Sequence, residues 1–513
     1  MCTLLALLTA LLMPVYAVAA EDVPALSGYD GENSDLYCRT QLSKMKNAEA
    51  LLYAYDSIYE AVDDGEGDAT VSNSEYKITV DELQTVYNAY SNDHPEHFWL
   101  SGQWGISYDP ATNIAYSLHA DLLFEGDELE KARDEFDAAV EKMISGISYS
   151  MSEFDRERIL HDRLCAAVTY NGSPMAHTAY GSLVQGVAVC DGYAEAFQYL
   201  LRLVGIQSLI CTGTSINPST GSPEGHAWNI VRIDGKYYHT DVTWDDQEII
   251  TFYAYFNKSE DEITADHAME RQAYAIPECT SDDADYFAVN PCRLSSFNTK
   301  KVTAQMNNNS HMARFYVTGD KTAFTKALGE NIRTVASGIG IKGGFSYGVV
   351  SVGREVVAYI RSTGEALGQT VFGIFSGSGN AAETAEIALV SQKTSAVAYK
   401  TTVKNIDTVY SVDGVAKGNY TLRVTVGGET VHEDSVTVGE KAVESDIALY
   451  TVGDINNDGK INSIDSSALE NFVTGTASAS ARESKAADIN NDGKINSVDA
   501  SLLKAIVLGN SNS

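Results

Sequence analysis

The segment GHAWNIVRIDGKYYHTDVTWD, residues 225–245, contains two runs rich in aromatic and β-branched residues on either side of Asp234-Gly235. An Asp-Gly pair between two such runs is a strong signal for a two-residue β-hairpin turn. We therefore predict two antiparallel strands, from Ala227 to Ile233 and from Lys236 to Val242.

The length of this turn decides which side chains meet. A two-residue turn pairs Ile233 with Lys236, and the same register makes His226 and Asp241 diagonal neighbours on one face. An imidazole and a carboxylate are then within reach of each other. A three-residue turn would shift the register by one residue and put them on opposite faces.

Upstream, the segment GVAVCDGYAE, residues 186–195, leads into a predicted helix from Cys190 to Val204. A strand from Ile206 to Cys211 and a polar loop from Thr212 to Gly225 follow, so the pattern predicts an α+β core. A thiol at a helix N-terminus faces the positive end of the helix dipole, which favours the thiolate. The free N–H groups there can also stabilise an oxyanion.

Cysteine, histidine and aspartate in this order fit nucleophilic catalysis on a carboxamide. Cys190 would attack the carbonyl carbon, His226 would take and return the proton, and Asp241 would orient the imidazole. Taken singly, Cys190 is explained as a buried structural thiol and His226 as a satisfied sheet histidine. The helix start, the shared face and the chain order together favour a triad.

Four other ionisable residues compete less well for these roles. His161 and Glu195 are expected on helix surfaces. Asp245 and Asp246 are rivals of Asp241, but they lie beyond the diagonal pairing that selects it.

Three blocks resemble the transglutaminase-like superfamily: CDGYA at 190–194, GHAWN at 225–229 and YHTDVTWD at 238–245. The resemblance covers about residues 150–260 and implies a papain-like core with these three catalytic residues. Bacterial members are often peptidases or amidases, so the expected reaction is hydrolysis of a protein or peptide amide. A transglutaminase-type acyl transfer to an amine, or a non-catalytic role in binding carbohydrate or protein, stays open.

A second motif is repeated: DINNDGKINSID at 454–465 recurs as DINNDGKINSVD at 488–499. Its spacing is that of an EF-hand loop, in which oxygen ligands surround Ca²⁺ and a glycine permits the turn. We predict two Ca²⁺ ions, held by the ligand residues Asp454, Asn456, Asp458, Lys460, Asn462 and Asp465 in one loop and Asp488, Asn490, Asp492, Lys494, Asn496 and Asp499 in the other.

Apolar residues at helical spacing follow each loop, aspartate replaces glutamate at the twelfth position, and no apolar helix precedes either loop. Residues 451–510 thereby resemble a type I dockerin, so we assign 451–513 to this module. The resemblance implies calcium-dependent docking onto a cohesin module of a scaffoldin. In that family loop positions ten and eleven, here Ser463-Ile464 and Ser497-Val498, help to choose the cohesin.

The rest of the chain is read as an α+β multidomain protein. Residues 29–299 are assigned to a mainly helical N-terminal part plus the catalytic core, with a connecting layer from Ser91 to Ile114. Residues 300–384 form an unassigned β-rich region with few helix signals. Short alternating runs in residues 385–450 predict a β-sandwich of about seven strands, which resembles carboxypeptidase-regulatory-like modules.

Net charge, apolar runs and cysteine content limit the possible partners and the location of the protein. The net charge of −34 argues against nucleic-acid partners and anionic membranes. Residues 1–20 read as a signal peptide, and no later apolar run is long enough to span a membrane. We expect a secreted, cellulosome-associated protein, in keeping with the polysaccharide breakdown that many dockerin proteins serve. The scattered cysteines do not form a disulfide scaffold, although Cys279 and Cys292 are close enough in sequence to pair.

Overall fold

The computed structural model describes residues 36–216, 221–247, 250–362, 368–457, 459–490 and 493–510. The predicted signal peptide lies outside these residues. The described chain is a mixed α/β structure in which helices and several small sheets alternate.

The N-terminal part combines helices with a small sheet. Its helices are α1 (Tyr37–Leu42), α2 (Ala48–Asp63), α3 (Val80–Asp93), α4 (Gly126–Ile144) and α5 (Glu153–Ala167). Its strands are β1 (Asp68–Thr70), β2 (Ile78–Thr79), β3 (Leu100–Asp109) and β4 (Ile114–Leu122). The segment from Ser91 to Ile114 is therefore not only a connecting layer, because β3 and β4 pair as an antiparallel hairpin within and beyond it.

The central part contains the hairpin that turns at Asp234-Gly235. It comprises β5 (Thr169–Tyr170), β6 (Val187–Ala188), α6 (Cys190–Leu203), β7 (Ser208–Ile216), β8 (Pro223–Ile233), β9 (Lys236–Thr240), α7 (Val242–Asp245), α8 (Glu260–Ile263) and β10 (His267–Met269). Strands β10, β7, β8 and β9 form one antiparallel sheet, against which α6 packs.

The predicted hairpin register is confirmed. Ile233 pairs with Lys236 and Asn229 with Thr240, as a two-residue turn requires. Two details differ from the prediction. The second strand ends at Thr240, one residue before Asp241, and the polar loop is shorter because β7 continues to Ile216 and β8 begins at Pro223.

A third part contains α9 (Tyr286–Val289), β11 (Arg293–Leu294), α10 (Thr299–Asn308), β12 (Met312–Val317), α11 (Lys321–Gly338), β13 (Phe345–Val352) and β14 (Glu355–Ser362). The sheet order is β11-β12-β14-β13, and apolar residues of α10 and α11 share its core. Helix α11 was not predicted, since its threonines and its interior Gly329 are weak helix formers. Packing of Phe324, Leu328 and Val335 stabilises the helix instead.

A β-sandwich follows. Its strands are β15 (Gln369–Ser376), β16 (Asn380–Ser391), β17 (Val397–Asn405), β18 (Thr408–Val415), β19 (Gly418–Val426), β20 (Glu429–Val438), β21 (Val443–Glu444) and β22 (Ile447–Ala448). One sheet joins β18, β15, β21 and β22, and the other has the order β17-β16-β19-β20. Strand β15 belongs to the sandwich although it precedes the predicted boundary at residue 385.

The C-terminal part has α12 (Ser463–Val473), α13 (Ala481–Ala487) and α14 (Ser497–Asn510). Leu469 of α12 and Leu503 of α14 are fully buried and share a small core with Ile455. The helices after the two loops were predicted. Helix α13, which leads into the second loop, was not, and a capping box between Ser480 and Glu483 begins it.

Helix α5 is buried although it is highly charged, because the sandwich packs on it. Arg158 donates a hydrogen bond to Ser411 at 3.0 Å, and Arg163 donates one to Glu444 at 2.7 Å. His161, expected on the surface, is fully buried and hydrogen-bonds to Asp162 at 3.0 Å. The surface assignment was wrong because the His161 ring packs against Tyr253 and Phe256 and lies 3.4 Å from Asp245.

Asp407, the residue before β18, joins three parts of the chain. Its carboxylate accepts a hydrogen bond from Ser150 in the loop before α5 and forms an ion pair with Lys485 of α13. The Asp407 side chain is 2% exposed, so this contact lies inside the molecule. The C-terminal helices are thus held against the sandwich rather than separated from it.

None of the helices within the described ranges is both long enough and apolar enough to cross a membrane.

Glu157 in α5 should make stability fall as pH rises. Burial raises its pKa to about 8, while Thr240 and Asn257 hydrogen-bond to it. Above the ordinary pKa of glutamate, the carboxyl group is ionised in the unfolded chain but still protonated in the folded one. Its contribution to stability is therefore fully present below that ordinary pKa and is lost as the pH rises toward 8. We expect Glu157→Gln to be roughly 2–4 kcal/mol more stable than wild type at pH 8.

At pH 4 the same variant should match wild type, because both side chains are then neutral in both states. Thermal unfolding at the two pH values measures the difference. An equal effect of the substitution at pH 4 and pH 8 would contradict the assignment of a protonated Glu157.

Candidate functional site

Cys190 is the first residue of α6, as predicted. The residue before it, Val189, is extended and supplies no side-chain cap, so no capping side chain occupies the first N–H groups of the helix. The Cys190 side chain is partly exposed, and its Sγ lies 3.8 Å from Asp191 Oδ1. A nucleophile at this position is accessible to substrate.

Gly192 lets the start of α6 approach the preceding loop. A Cβ atom at this position would lie 2.4 Å from the carbonyl oxygen of Ala176 and 2.9 Å from that of Thr178. Both distances are below any real contact, and backbone atoms cannot move aside easily. The glycine therefore fixes where the Cys190 end of the helix lies.

This packing makes Gly192→Ala a test of nucleophile placement. We expect the helix start to shift and kcat/KM for amide hydrolysis to fall at least about 10-fold, since displacements near 1 Å are costly in catalysis. Gly172→Ala is the matched control, because a Cβ there meets nothing within 4 Å. Equal activity of the two variants would show that this close approach is unimportant.

His226 and Asp241 are in contact. His226 Nε2 lies 2.7 Å from Asp241 Oδ2, and both side chains are buried. Asp241 caps α7, where its Oδ1 accepts a hydrogen bond from Trp244 N at 3.2 Å. The carboxylate is thus held from two directions.

Electrostatics tie these two residues to the thiol. Burial alone would lower the pKa of His226, but the charge of Asp241 and hydrogen bonding to Asp241 and Cys190 raise it to about 10. Burial would raise the pKa of Asp241, but the charges and hydrogen bonds of His226 and His267 hold it below its ordinary value. The histidine is therefore a cation beside the carboxylate at neutral pH.

Aromatic rings surround this pair. The His226 ring stacks on Trp228 at a centroid distance of 6.0 Å and lies 5.7 Å from Trp244. Trp228 in turn donates its indole N–H to His239 at 3.0 Å. Such an apolar surround excludes water and strengthens the charge interactions inside it.

His267 was missed by sequence reasoning. It lies on β10 next to the site, and its Nε2 is 3.1 Å from the same Asp241 Oδ2 that binds His226. Its sequence position, 26 residues after Asp241 in a poorly patterned stretch, gave no signal. Only the pairing of β10 with β7 brings it there.

The rival carboxylates have other partners. Asp245 is fully buried, accepts from Tyr255 N at 3.0 Å and lies 3.4 Å from His161. Asp246 accepts a hydrogen bond from the hydroxyl group of Tyr193. Glu195, expected on a helix surface, is instead partly buried and accepts from Ala179 N at 3.0 Å, and burial raises its pKa to about 8.

Two clusters of potential ligands in this part are hydrogen-bonded groups. In His226, Asp241 and His267 the 2.7 and 3.1 Å contacts are ordinary hydrogen bonds. In the other, His239 accepts from Trp228 at one ring nitrogen, so its second nitrogen carries a proton toward Glu260 at 2.9 Å. That imidazole keeps no lone pair for a metal.

The C-terminal loops are built alike. Asp465 Oδ1 accepts from Ile455 N at 2.9 Å and Asp499 Oδ1 accepts from Ile489 N at 2.9 Å, which folds each loop around its last carboxylate. The turn glycines have positive φ, +80° at Gly459 and +79° at Gly493. Asp458 and Asp492 lie outside the described residues.

This donor set fits Ca²⁺. The described ligand residues offer carboxylate, amide and backbone carbonyl oxygens, the hard donors that Ca²⁺ prefers, and no nitrogen or sulfur ligand is among them. Asp454, Asp465 and Asp499 are buried, and a bound cation would balance their charges. The residues at loop positions ten and eleven are exposed, Ile464 by 58% and Val498 by 51%, as an interface requires.

All six cysteines of the described chain are free thiols, so the pairing of Cys279 with Cys292 is absent.

Comparison with known proteins identifies both regions. A family described as the transglutaminase-like superfamily matches residues 140–242, and the dockerin type I domain matches residues 452–508. Kyphoscoliosis peptidase from Homo sapiens is 36% identical over 61 residues, which are 11% of this chain and 9% of that protein. The Mus musculus protein of the same name is 34% identical over 61 residues, which are again 11% of this chain and 9% of that protein.

The chain thus spans about a tenth of the length of these curated relatives. A solved structure of a TGase aligns over 33% of this chain and 49% of that chain, with 14% identity and a TM-score of 0.19, too low to support a conclusion. A dockerin implies calcium binding and a cohesin partner. The chain thus contains a transglutaminase-like core at residues 140–242 and a C-terminal type I dockerin domain at residues 452–508.

Proposed function

We propose that this protein is a secreted cysteine-nucleophile amide hydrolase, a peptidase or amidase, that a calcium-dependent dockerin anchors to a scaffoldin cohesin. The observation that supports it best is the 2.7 Å contact between His226 and Asp241 beside the thiol that begins α6. These contacts support a triad in which Cys190 is the nucleophile, His226 is the base and Asp241 orients the imidazole.

In the first half-reaction the Cys190 thiolate attacks the carbonyl carbon of the amide and forms a carbon–sulfur bond. The carbonyl oxygen becomes an oxyanion, which the N–H groups at the start of α6 would stabilise. The carbon–nitrogen bond then breaks, and the leaving amine takes the proton of His226. A thioester with Cys190 remains.

In the second half-reaction water attacks the thioester while His226 takes its proton. The carbon–sulfur bond breaks, the acid leaves, and Cys190 is again a thiolate beside a protonated imidazole. Because Asp241 occupies Nε2 of His226, the other ring nitrogen exchanges protons with substrate and water. Asp241 keeps the ring oriented throughout.

The C-terminal loops would hold one Ca²⁺ ion each. Asp454, Asn456, Asp458, Lys460, Asn462 and Asp465 form the first proposed site, and Asp488, Asn490, Asp492, Lys494, Asn496 and Asp499 form the second. Ca²⁺ supplies the charge that orders the two loops and so presents α12 and α14 to a cohesin. Ser463, Ile464, Ser497 and Val498 would contact that partner.

Iodoacetamide tests the nucleophile. We expect one equivalent to alkylate Cys190 and to abolish the release of peptides from casein, because burial raises the pKa of the other described thiols, Cys38, Cys165, Cys211, Cys279 and Cys292. Peptide mass mapping locates the label. Cys292→Ala should behave as wild type, whereas Cys190→Ala should lose both labelling and hydrolysis.

Hydrolysis that survives full alkylation of Cys190 would overturn the proposal. Adding a fluorescent primary amine to the same assay separates two outcomes. Release of free acid supports the hydrolase, while incorporation of the amine into casein at the expense of free acid identifies an acyltransferase.

A further inference from the structure

We propose that His267 is a positioning residue that acts through Asp241 to hold His226 in the orientation needed for proton exchange with Cys190. The inference rests on the proposed function, since it assigns roles within the same site. It adds a residue outside the three blocks of sequence that predicted the triad.

The contacts of Asp241 are the first support. Its Oδ2 receives His226 Nε2 at 2.7 Å and His267 Nε2 at 3.1 Å, while its Oδ1 accepts from Trp244 N at 3.2 Å. With a single contact a carboxylate can rotate about its terminal bond. With three contacts on two oxygens it cannot, so His267 helps to fix the acceptor to which His226 is bound.

The second ring nitrogen of His267 is also engaged. His267 Nδ1 lies 2.8 Å from Asp266 Oδ1, and Asp266 Oδ2 accepts from the hydroxyl group of Tyr255 at 2.7 Å. A carboxylate can only accept, so an imidazole between two carboxylates donates from both nitrogens. His267 is then a cation between Asp241 and Asp266.

Burial makes this arrangement rigid. The His267 side chain is fully buried, with ring centroids at 4.7 Å from Trp244 and 5.0 Å from Trp228. The titratable groups that face it are Asp241, Asp266, Tyr255 and His226, and the two indoles are neutral. Burial alone would lower the pKa of His267, but hydrogen bonds and charges of the two aspartates raise it.

The charge of His267 has a second effect. Two carboxylates beside one imidazolium would leave the site with excess negative charge, which opposes a thiolate at Cys190. The positive charge of His267 offsets one of them. Its loss should therefore disturb both the orientation of His226 and the ionisation of the thiol.

We test this with His267→Phe, which keeps a planar ring but removes both donors, and with His267→Gln, which can still donate to Asp241. For casein hydrolysis we expect His267→Phe to lower kcat about 10- to 100-fold with little change in KM, as loss of a supporting hydrogen bond does elsewhere. His267→Gln should recover part of that loss.

The second readout is the pH dependence of Cys190 alkylation by iodoacetamide, which needs no substrate. In His267→Phe the midpoint of the profile should move to higher pH by about 0.5 unit or more, because a nearby positive charge has gone. Asp266→Asn, which leaves the donor to Asp241, should shift it less. A purely structural role would change the unfolding temperature but leave the midpoint in place.

The outcomes are distinct. A shifted alkylation profile without any casein hydrolysis in wild type would support the positioning role and overturn the proposed function. The positioning role alone would be overturned if wild type hydrolyses casein through Cys190 and His267→Phe keeps the same kcat and the same pH midpoint of Cys190 alkylation.

Discussion

Asp241→Asn is expected to lower kcat/KM for amide hydrolysis by about 10³-fold or more while the protein stays folded. Asparagine fits the same space, but its amide group turned toward His226 would donate a proton where the carboxylate accepts one. His226 Nε2 would then have to accept, which moves the ring proton to the nitrogen that should exchange protons with Cys190. A loss of this size corresponds to about 4 kcal/mol of transition-state stabilisation.

The control for this variant is Asp246→Asn, which changes the same side chain five residues away. Asp246 accepts a hydrogen bond from Tyr193 and has no contact with His226 among those described. Its replacement should cost less than about 10-fold in kcat/KM. Thermal unfolding of both variants checks that they fold, and equal activities would show that Asp241 does not orient the base.

Replacing Asp465 and Asp499 together by alanine should remove calcium binding and cohesin docking. Each carboxylate is fully buried and accepts hydrogen bonds from backbone N–H groups on both sides of its loop, for example from Asn462 N at 3.0 Å and Asn496 N at 2.8 Å. We expect each single substitution to weaken one Ca²⁺ site by about 10²-fold or more. Calorimetric titration with Ca²⁺ measures both the affinity and the number of sites.

Ser463→Ala serves as the control for calcium binding, because this side chain is exposed and lies within the loop but is not a predicted ligand. It should bind Ca²⁺ as wild type does. Casein hydrolysis should be unaffected in the double variant, since the candidate catalytic residues lie in a separate part of the chain. Calcium binding that persists in the double variant would contradict the ligand assignment.

Local patterns predicted much of the site. The Asp234-Gly235 turn set the register of the hairpin, and that register is the one observed. The signal for α6 was also local, because an apolar stripe marks the helix and Gly205 ends it. The two C-terminal loops followed from residue spacing alone.

What sequence could not supply were contacts between distant segments. His267 reaches Asp241 only because β10 adds to the sheet beside β7. His161 was placed on a helix surface, yet its imidazole packs against Tyr253 and Phe256, which lie more than 90 residues further along the chain. Helix α11 has weak propensity and owes its stability to packing.

Asp407 bears on how the molecule would be carried on a scaffold. Its ion pair with Lys485 and its hydrogen bond from Ser150 connect the dockerin directly to the sandwich and to the loop before α5, so that no flexible linker separates them. The candidate site around Cys190 would then have one fixed orientation relative to the bound cohesin. Movement of the site toward a substrate would then depend on flexible linkers of the scaffoldin, because the catalytic part would not move relative to the dockerin.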